Sequence, residues 1–173
     1  MGMRLKKIVS GGETGVDRAA LDAALLANFP CGGWATFDRM AEDGVIADRY
    51  GMVPLPKGGY RQRTRLNVSD SDGTVILYHE SLKGGTRLTR NLCALLKRPY
   101  VLLNAAEVPD PIAAAAAILE FIAANNIETL NVAGPRASGW AAGYRFALEA
   151  LGGVLRNEVM GVERPCKPIR TLA

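Results

Sequence analysis

Three glycine-bearing turns carry the residues of this sequence that could bind an anion. Each turn follows a short apolar segment typical of a buried strand. The turns are residues 10–15, 83–86 and 134–138. A residue without a Cβ lets backbone N–H groups approach an oxyanion closely, and a helix that starts after the turn adds the positive end of its dipole. The candidate ligand-binding residues in these turns are Gly11, Gly12, Glu13, Thr14, Gly15, Gly84, Gly85, Thr86, Gly134, Pro135, Arg136 and Ser138.

Charged residues in and beside these turns indicate which ligand groups the turns could bind. The Glu13 carboxylate would repel a bare phosphate, so its expected partner is a ribose-like hydroxyl or an amide-like group. Asp17 and Arg18 begin the next predicted helix, where Asp17 is either a site residue or a partner of the helix dipole. The Arg136 guanidinium can fork onto phosphate or carboxylate oxygens. The alternative is that the glycines serve turn geometry alone.

Other ligand classes find little support in the sequence. None of the turns matches GxGxxG or the Walker loop GxxxxGK[ST], so ordinary dinucleotide binding and nucleotide hydrolysis are not indicated. The net charge is only +4, and no run of five basic residues occurs. No aromatic residue interrupts the basic clusters, so nucleic acid is not an expected partner. A small anionic ligand fits this charge balance best.

Metal binding by the chain itself is not predicted. The three cysteines, Cys31, Cys93 and Cys166, lack a CxxC spacing, and His79 is the only histidine. No membrane partner is expected either, because no run approaches the roughly 20 apolar residues of a membrane span. No secretory leader is apparent at the N-terminus, so the expected location is the cytoplasm.

The remaining polar residues have different expected roles, which depend on where they lie relative to the predicted pocket. Asp70 and Asp72 precede a predicted strand, at the edge opposite the glycine turns, and are expected to be structural. Glu42 and Asp43 lie in a long irregular segment that could cover the pocket as a lid or supply a general base. His79, with Glu80 beside it, ends the strand before the second turn, at the expected pocket rim. There it is expected to orient a substrate rather than to catalyse.

Composition and periodicity predict the elements that position these residues. With 49% hydrophobic and 6% aromatic residues, the chain fits a doubly wound α/β fold, with a mostly parallel sheet and helices on both faces. The predicted strands are residues 6–10, 74–78, 100–103 and 129–133. The predicted helices are residues 16–28, 60–68, 87–97, 112–125 and 140–151. Ligands of open α/β sheets bind at the C-terminal edge of the strands, where all three turns would meet.

Two parts of the chain depart from this alternation. Residues 30–60 are broken by glycines and prolines and are interpreted as a long loop, with one short strand near residues 31–35. The chain after residue 153 is expected to be irregular. The whole chain, residues 1–173, is nevertheless predicted to form a single ligand-binding domain.

Five segments resemble a known family. They are residues 10–22, 41–44, 63–74, 84–86 and 131–136. They resemble the bacterial "putative molybdenum carrier" family, and the likeness spans nearly the whole chain. That family is grouped as a circularly permuted branch of a Rossmann-like superfamily. The superfamily also holds the lysine-decarboxylase-like proteins, the LOG phosphoribohydrolases and the algal molybdenum-cofactor carrier.

The resemblance implies a fold, a site and an assembly. It implies a Rossmann-like domain that forms a homo-oligomer, with a dimer as the expected form. It adds Arg63, Thr64 and Asn67 to the candidate ligand-binding residues. It also makes the molybdenum cofactor a candidate ligand.

Departures from the relatives bear on activity. Arg63 lies nine residues before Asp72, as in the LOG enzymes. These enzymes also carry a glutamate three residues after the threonine of a glycine-rich loop, where this chain has Thr89 after Thr86. The residue expected to promote N-glycosidic cleavage is therefore missing, although Glu13 or Asp17 could substitute for it.

The sequence leaves two main functional hypotheses and a third. The favoured hypothesis is binding of a phosphorylated nucleotide-like or pterin ligand, with Arg63 and Arg136 pairing its charge. The alternative is a LOG-like phosphoribohydrolase that cleaves a nucleoside 5′-monophosphate. The third hypothesis is a Rossmann-like domain whose pocket has lost its ligand-binding role and which now only contacts a partner. Fold-level analogy does not decide between them.

Overall fold

A six-stranded parallel sheet forms the centre of the computed structural model, which describes residues 5–160. In chain order the strands are β1 (Lys7–Val9), β2 (Cys31–Ala35), β3 (Met40–Ala41), β4 (Gly44–Val45), β5 (Met52–Pro54), β6 (Gly73–Tyr78), β7 (Tyr100–Asn104) and β8 (Thr129–Ala133). The order in the sheet is β5-β2-β1-β8-β6-β7, and every pairing is parallel. Strands β3 and β4 form a separate antiparallel hairpin.

Helices cover both faces of this sheet. They are α1 (Val16–Leu26), α2 (Tyr60–Ser69), α3 (Gly84–Leu95), α4 (Pro111–Asn125) and α5 (Gly143–Met160). Helices α1, α4 and α5 pack together on one face, while α2 and α3 pack together on the other. The predicted doubly wound, Rossmann-like α/β fold is therefore confirmed. None of these helices is long and apolar enough to cross a membrane.

The apolar core lies between the sheet and helices α1, α4 and α5. Alternate strand residues point into it, among them Val75 and Leu77 of β6 and Leu130 and Val132 of β8. The helices contribute many buried alanines, which let their backbones approach the sheet closely. Burial of this apolar surface is the main favourable contribution to folding.

The opposite face of the sheet is polar beneath α2 and α3. Buried polar residues on this side are Thr64, Asn67, Thr74, Thr86, Thr89 and Asn131. The Asn131 side-chain amide donates to the Thr74 hydroxyl at 3.2 Å. Buried polar groups need such partners, because an unpaired one loses its hydration without compensation. The sheet therefore has one face that forms the core and one that is lined with hydrogen-bonding groups.

The largest differences from the predicted elements concern glycines. Helix α3 begins at Gly84 rather than at residue 87, so the second glycine turn is the first turn of a helix. Helix α5 begins at Gly143 and continues to Met160, although glycine at residues 152 and 153 predicted its end. A Cβ on Gly153 would lie 3.0 Å from the Ala115 side chain, so this glycine allows α4 and α5 to pack closely. At Gly153 the low helix propensity of glycine is overridden by this tertiary contact.

The segment of residues 30–60 is more ordered than predicted. The expected strand over residues 31–35 is confirmed as β2. The segment also holds the β3–β4 hairpin, a 3₁₀ helix (Asp48–Tyr50) and the strand β5. Strand β5 ends in Pro54 and lies at the edge of the sheet, where a proline is tolerated because one side of the strand needs no ladder partner. The part of the tail beyond residue 160 lies outside the described residues.

Asp70 and Asp72, which precede β6, both have hydrogen-bond partners of a structural kind. One oxygen of the Asp72 carboxylate accepts hydrogen bonds from the backbone N–H groups of Glu128 and Thr129, at 3.1 and 2.8 Å. The Asp70 carboxylate accepts the indole N–H of Trp34 at 2.9 Å. The structural role predicted for both residues is confirmed.

Replacing Asp72 by alanine is expected to lower the free energy of unfolding by about 2 kcal/mol, because two backbone donors lose a charged acceptor. Asp72→Asn should keep most of the stability, since a single oxygen accepts both bonds. Urea denaturation followed by circular dichroism measures both variants. An alanine variant as stable as the parent protein would contradict this role.

Candidate functional site

A cavity of about 760 Å³ opens at the C-terminal edge of the central strands. Its walls are the loops after β1, β6 and β8 together with the beginnings of α2 and α3. This volume is within the range of small-molecule and cofactor sites. All three glycine turns contribute to the wall, and the predicted residues that line it are Gly11, Glu13, Asp17, Arg63, Thr64, Asn67, Gly84, Gly85, Thr86, Gly134, Pro135 and Arg136.

The first glycine turn makes room for protein groups. A Cβ on Gly11 would collide with the Arg63 guanidinium, whose Nη1 donates to the Gly11 carbonyl at 2.8 Å. Gly15 has a φ of 77°, and a Cβ there would lie 2.5 Å from the Pro135 carbonyl oxygen. Only glycine accommodates both that backbone angle and that contact. These two glycines are required by packing between the loops.

Backbone N–H groups of the first turn are already engaged. Those of Gly11 and Glu13 act on the Asp17 carboxylate and lower its pKa. Thr14 donates to the Glu13 carboxylate at 2.9 Å, and Gly12 donates to a serine hydroxyl two residues earlier at 3.2 Å. Hydroxyl and carboxylate groups of the protein therefore already interact with the N–H groups to which the sequence assigned a ligand oxyanion.

Asp17 is a buried carboxyl group on the cavity wall, with a residue exposure of 6%. Burial raises its pKa from 3.8 to about 6, although the charge of Arg63 opposes the shift. An Arg63 nitrogen lies 3.9 Å from the carboxylate. The charge of Glu13 adds to the rise, and the two backbone N–H groups oppose it. Asp17 can therefore hold or release a proton near neutral pH.

The second glycine turn is open to solvent, unlike the first. Gly84 and Gly85 have no atom within 4 Å of the position of a Cβ. No side chain caps the N-terminus of α3, which starts after the extended residue Lys83. The first N–H groups of a helix have no acceptor within the helix. Here they border the cavity, together with Thr86.

Helix α2 begins at the same cavity. Its first residues, Tyr60 and Arg61, line the wall, and no side chain caps this N-terminus. Two helix N-termini thus direct their positive ends toward one space, an arrangement that favours an anion. The basic residues on the wall are Arg61, Arg63, Lys83 and Arg136, and the acidic ones are Glu13, Asp17 and Glu80. Four basic residues against three acidic ones leave a small excess of positive charge on the wall.

Asn67 holds the cavity wall in place. Its side-chain oxygen accepts the backbone N–H of Trp34 at 2.8 Å, and its amide donates to the carbonyls of Ser10 and Trp34 at 3.3 and 3.1 Å. These bonds join α2 to the ends of β1 and β2. Both polar groups of the side chain are therefore engaged by protein backbone.

The β3–β4 hairpin is attached to the rim by its two carboxylates. Glu42 accepts hydrogen bonds from the Thr14 hydroxyl at 2.6 Å and the Ser138 N–H at 3.3 Å. Asp43 pairs with both terminal nitrogens of Arg18, at 2.9 and 3.0 Å. Hydrogen bonds from Ser138 and Thr14 lower the pKa of Glu42, and Arg18 lowers that of Asp43. The hairpin thus joins the first and third glycine turns.

Five of the predicted site residues lie in this outer layer and not on the cavity wall. They are Gly12, Thr14, Gly15, Arg18 and Ser138. Within the predicted long loop of residues 30–60, Tyr60, the first residue of α2, is the one described residue that lines the cavity. A lid function for that segment stays a prediction.

Sequence reasoning gave no role to several wall residues. Trp140, Tyr60 and Arg61 line the cavity, and His79 lies there as expected for a rim residue. The position of Trp140, two residues after the third turn, is the sequence feature that could have indicated its place on the wall. Thr89 also lines the wall, but its hydroxyl donates to the Gly85 carbonyl at 3.0 Å. The position at which the LOG enzymes carry a glutamate therefore supplies no carboxylate here.

The raised pKa of Asp17 predicts a pH dependence of stability. Between pH 3.8 and about 6 the folded protein holds a proton that the unfolded chain releases, so this group lowers stability as the pH rises through that window. Asp17→Asn removes the effect. Across the window the stability of the variant should rise relative to the parent by on the order of 3 kcal/mol. Chemical denaturation at a series of pH values measures this difference.

Asp38→Asn serves as a control of opposite sign. A hydrogen bond from Thr36, followed in size by that of the Met40 N–H, lowers the pKa of Asp38. Its contribution to stability is therefore present at neutral pH and lost as the pH falls below 3.8. A stability difference between Asp17→Asn and the parent that does not change with pH would show that Asp17 is not buried as a titrating acid.

Within residues 5–160, no group of three or more His, Cys, Asp or Glu side chains is placed to hold a metal ion. The two described cysteines, Cys31 and Cys93, are free thiols whose pKa is raised by burial.

Comparisons with known proteins found one matching family model and a similar solved structure. The model of the circularly permutated YpsA SLOG family matches residues 8–155. A crystal structure of a "putative molybdenum carrier protein" from Syntrophus aciditrophicus SB is similar to this chain, with a TM-score of 0.86. The two sequences are 37% identical, and the likeness covers 90% of this chain and 98% of that chain. A search of curated proteins found no match.

Proposed function

The chain belongs to the circularly permutated YpsA SLOG family, and from this premise we propose that its cavity binds a small phosphorylated ligand of the nucleotide or pterin kind. The observation that carries the proposal is the convergence of two uncapped helix N-termini, those of α2 and α3, on one cavity. Unpaired N–H groups and the helix dipoles together favour a phosphate.

The phosphate is assigned to the N-terminus of α3. Gly84 and Gly85 leave open space there, and Thr86 adds a hydroxyl to the wall. The Arg136 side chain is 62% exposed at the rim, with only a distant contact of 3.9 Å to Glu42. It is therefore available to pair with the phosphate charge. Arg63 already donates to the Gly11 carbonyl and lies beside the Asp17 carboxylate. Its expected contribution to binding is therefore to hold the first glycine turn in position.

The molybdenum cofactor is one version of this ligand. The similar protein from Syntrophus aciditrophicus SB is named a "putative molybdenum carrier protein", and a carrier needs to hold a ligand without changing it. In this version the cavity recognises the phosphate and the organic ring system, and molybdenum is part of the cargo. The homodimer and the cytoplasmic location expected from the sequence belong to the same proposal.

A variant at Gly85 tests the anion site. Gly85→Asp is expected to abolish binding of AMP and of ribose 5-phosphate, because it introduces a carboxylate where the phosphate is assigned. The fold should tolerate it, since the position of the Cβ is open and an acidic residue in the first turn favours a helix. Gly85→Ala is the matched control and should bind both compounds. Calorimetry measures affinity, and thermal unfolding reports stabilisation of the native state by the ligand.

The contrary outcomes of this test are specific. Failure of both phosphorylated compounds to bind the parent protein would contradict the proposed function. Equal binding of these compounds by Gly85→Asp and Gly85→Ala would contradict the assignment of the phosphate to the N-terminus of α3. Adenosine, which lacks the phosphate, should bind more weakly than AMP to the parent.

The hydrolase alternative is retained because of one observation. Asp17 lies on the cavity wall with a pKa of about 6. In its ionised form it can accept a proton from a water molecule that attacks the anomeric carbon. The bond between that carbon and the base nitrogen breaks, and solvent supplies a proton to the departing base. A nearby carboxylate also stabilises an oxocarbenium-like state, as in glycoside hydrolysis.

Product analysis decides between binding and hydrolysis. Under the carrier proposal, nucleoside 5′-monophosphates incubated with the protein stay intact. Under the hydrolase alternative, chromatography detects free base and ribose 5-phosphate in equal amounts. Asp17→Asn should then lose turnover while it still binds AMP. Release of base that Asp17→Asn does not slow would exclude Asp17 as the catalytic group.

A further inference from the structure

The loop after β8 places an indole ring against the core at the cavity wall. Trp140 and Phe146 have ring centroids 5.5 Å apart in a tilted arrangement. A Cβ on Gly143 would lie 2.7 Å from the six-membered ring of Trp140, so the backbone of α5 packs directly on the indole. Protein atoms thus back Trp140 on this side, and its orientation is fixed before any ligand arrives.

The imidazole of His79 lies on this indole. The two ring centroids are 5.9 Å apart and the planes differ by 27°, a stacked arrangement. The His79 side chain is 43% exposed, and both rings line the cavity. The indole is therefore in contact with both α5 and the imidazole, and the imidazole is the more exposed of the two rings.

The turn that carries His79 is held in an unusual backbone conformation. Glu80 has a φ of 64°, in the left-handed region that non-glycine residues seldom adopt. The side-chain oxygen of Asn104 accepts the Glu80 N–H at 2.9 Å, and the Ser81 N–H donates to the His79 carbonyl at 2.8 Å. Backbone strain of this kind concentrates at sites that position functional groups. Here it fixes the end of β6, from which the imidazole extends.

We propose that His79, supported by Trp140, is the platform on which the planar heteroaromatic ring of the ligand stacks. This inference rests on the proposed function, because it places the ring of a ligand whose phosphate lies at the N-terminus of α3. His79 and Gly84 border the same cavity and are separated by only the short loop after β6. One ligand can therefore contact both. Stacking depends on the ring face, so it selects for a planar ring and tolerates different ring edges.

The His79–Trp140 stack therefore distinguishes ring-bearing phosphates from bare sugar phosphates. AMP should bind more tightly than ribose 5-phosphate, because only AMP carries a ring. His79→Ala should weaken AMP binding roughly tenfold, as expected when a base loses an aromatic partner. It should leave the affinity for ribose 5-phosphate unchanged. His79→Phe keeps an aromatic face and should restore AMP binding.

Fluorescence gives an independent measurement without altering the stack. The chain has two tryptophans, Trp34 and Trp140, and Trp34 is not part of the cavity wall. In Trp34→Phe the emission comes from Trp140 alone. AMP should change that emission on binding, whereas ribose 5-phosphate should not. This readout remains informative even if a His79 variant fails to fold.

The outcomes separate this inference from the proposed function. If neither AMP nor ribose 5-phosphate binds, the proposed function fails. If both bind the parent protein with equal affinity, the phosphate site stands and the ring platform is overturned. Equal weakening of both compounds by His79→Ala, or no effect on either, would also overturn it. Selective loss of AMP binding that the phenylalanine variant restores would support it.

Discussion

Arg63 and the buried Asp17 hold the cavity in its present form. Asp17 comes from the first turn of α1 and Arg63 from α2, and the guanidinium also binds the carbonyl of Gly11. The Arg63 side chain thus connects α2 to the loop after β1, although more than forty residues separate them along the chain. The backbone N–H groups of Gly11 and Glu13 act on the Asp17 carboxylate and lower its pKa, so these donors of the first glycine turn already face a carboxylate of the protein. The N-termini of α2 and α3, by contrast, carry no side-chain cap.

This arrangement explains why similar glycine turns serve different purposes in one protein. In the first turn, Gly11 and Gly15 allow protein groups to approach the backbone. In the second, Gly84 and Gly85 leave space beside a helix N-terminus. A glycine in a sequence indicates that a Cβ is absent, but the neighbours of the empty position decide whether a ligand can use it. Those neighbours come from distant parts of the chain.

The fold and the place where the glycine turns meet could be predicted from the sequence to a large extent, because both depend on local patterns. Apolar segments followed by glycine turns predicted the sheet, and the shared edge of parallel strands predicted where the turns meet. The contact of Arg63 with Gly11 joins residues 52 positions apart, and no local pattern encodes it. The strand β5 was missed because proline and glycine surround it. The start of α3 was missed because glycine is a weak helix former.

The residues around the hairpin illustrate another reason for incomplete prediction. Thr14 and Ser138 belong to turns that border the cavity, yet their polar groups bind Glu42. The sequence pattern identified the turns correctly but could not indicate which side of each turn faces the cavity. That choice depends on the hairpin, whose two carboxylates reach the rim from residues 42 and 43. Side-chain direction within a loop is a tertiary property.

The two faces of the sheet have different consequences for the evolution of the protein. The apolar face supports folding through side chains such as Val75, Leu130 and Ile118, where substitutions create cavities and are poorly tolerated. The polar face beneath α2 and α3 contributes less apolar burial, and most of its threonines and asparagines, among them Thr86, Thr89 and Asn131, border the cavity. Substitutions such as those at Thr86 or Thr89 can therefore alter recognition with little loss of apolar core. The cavity wall can thus change at these positions while the apolar scaffold is kept.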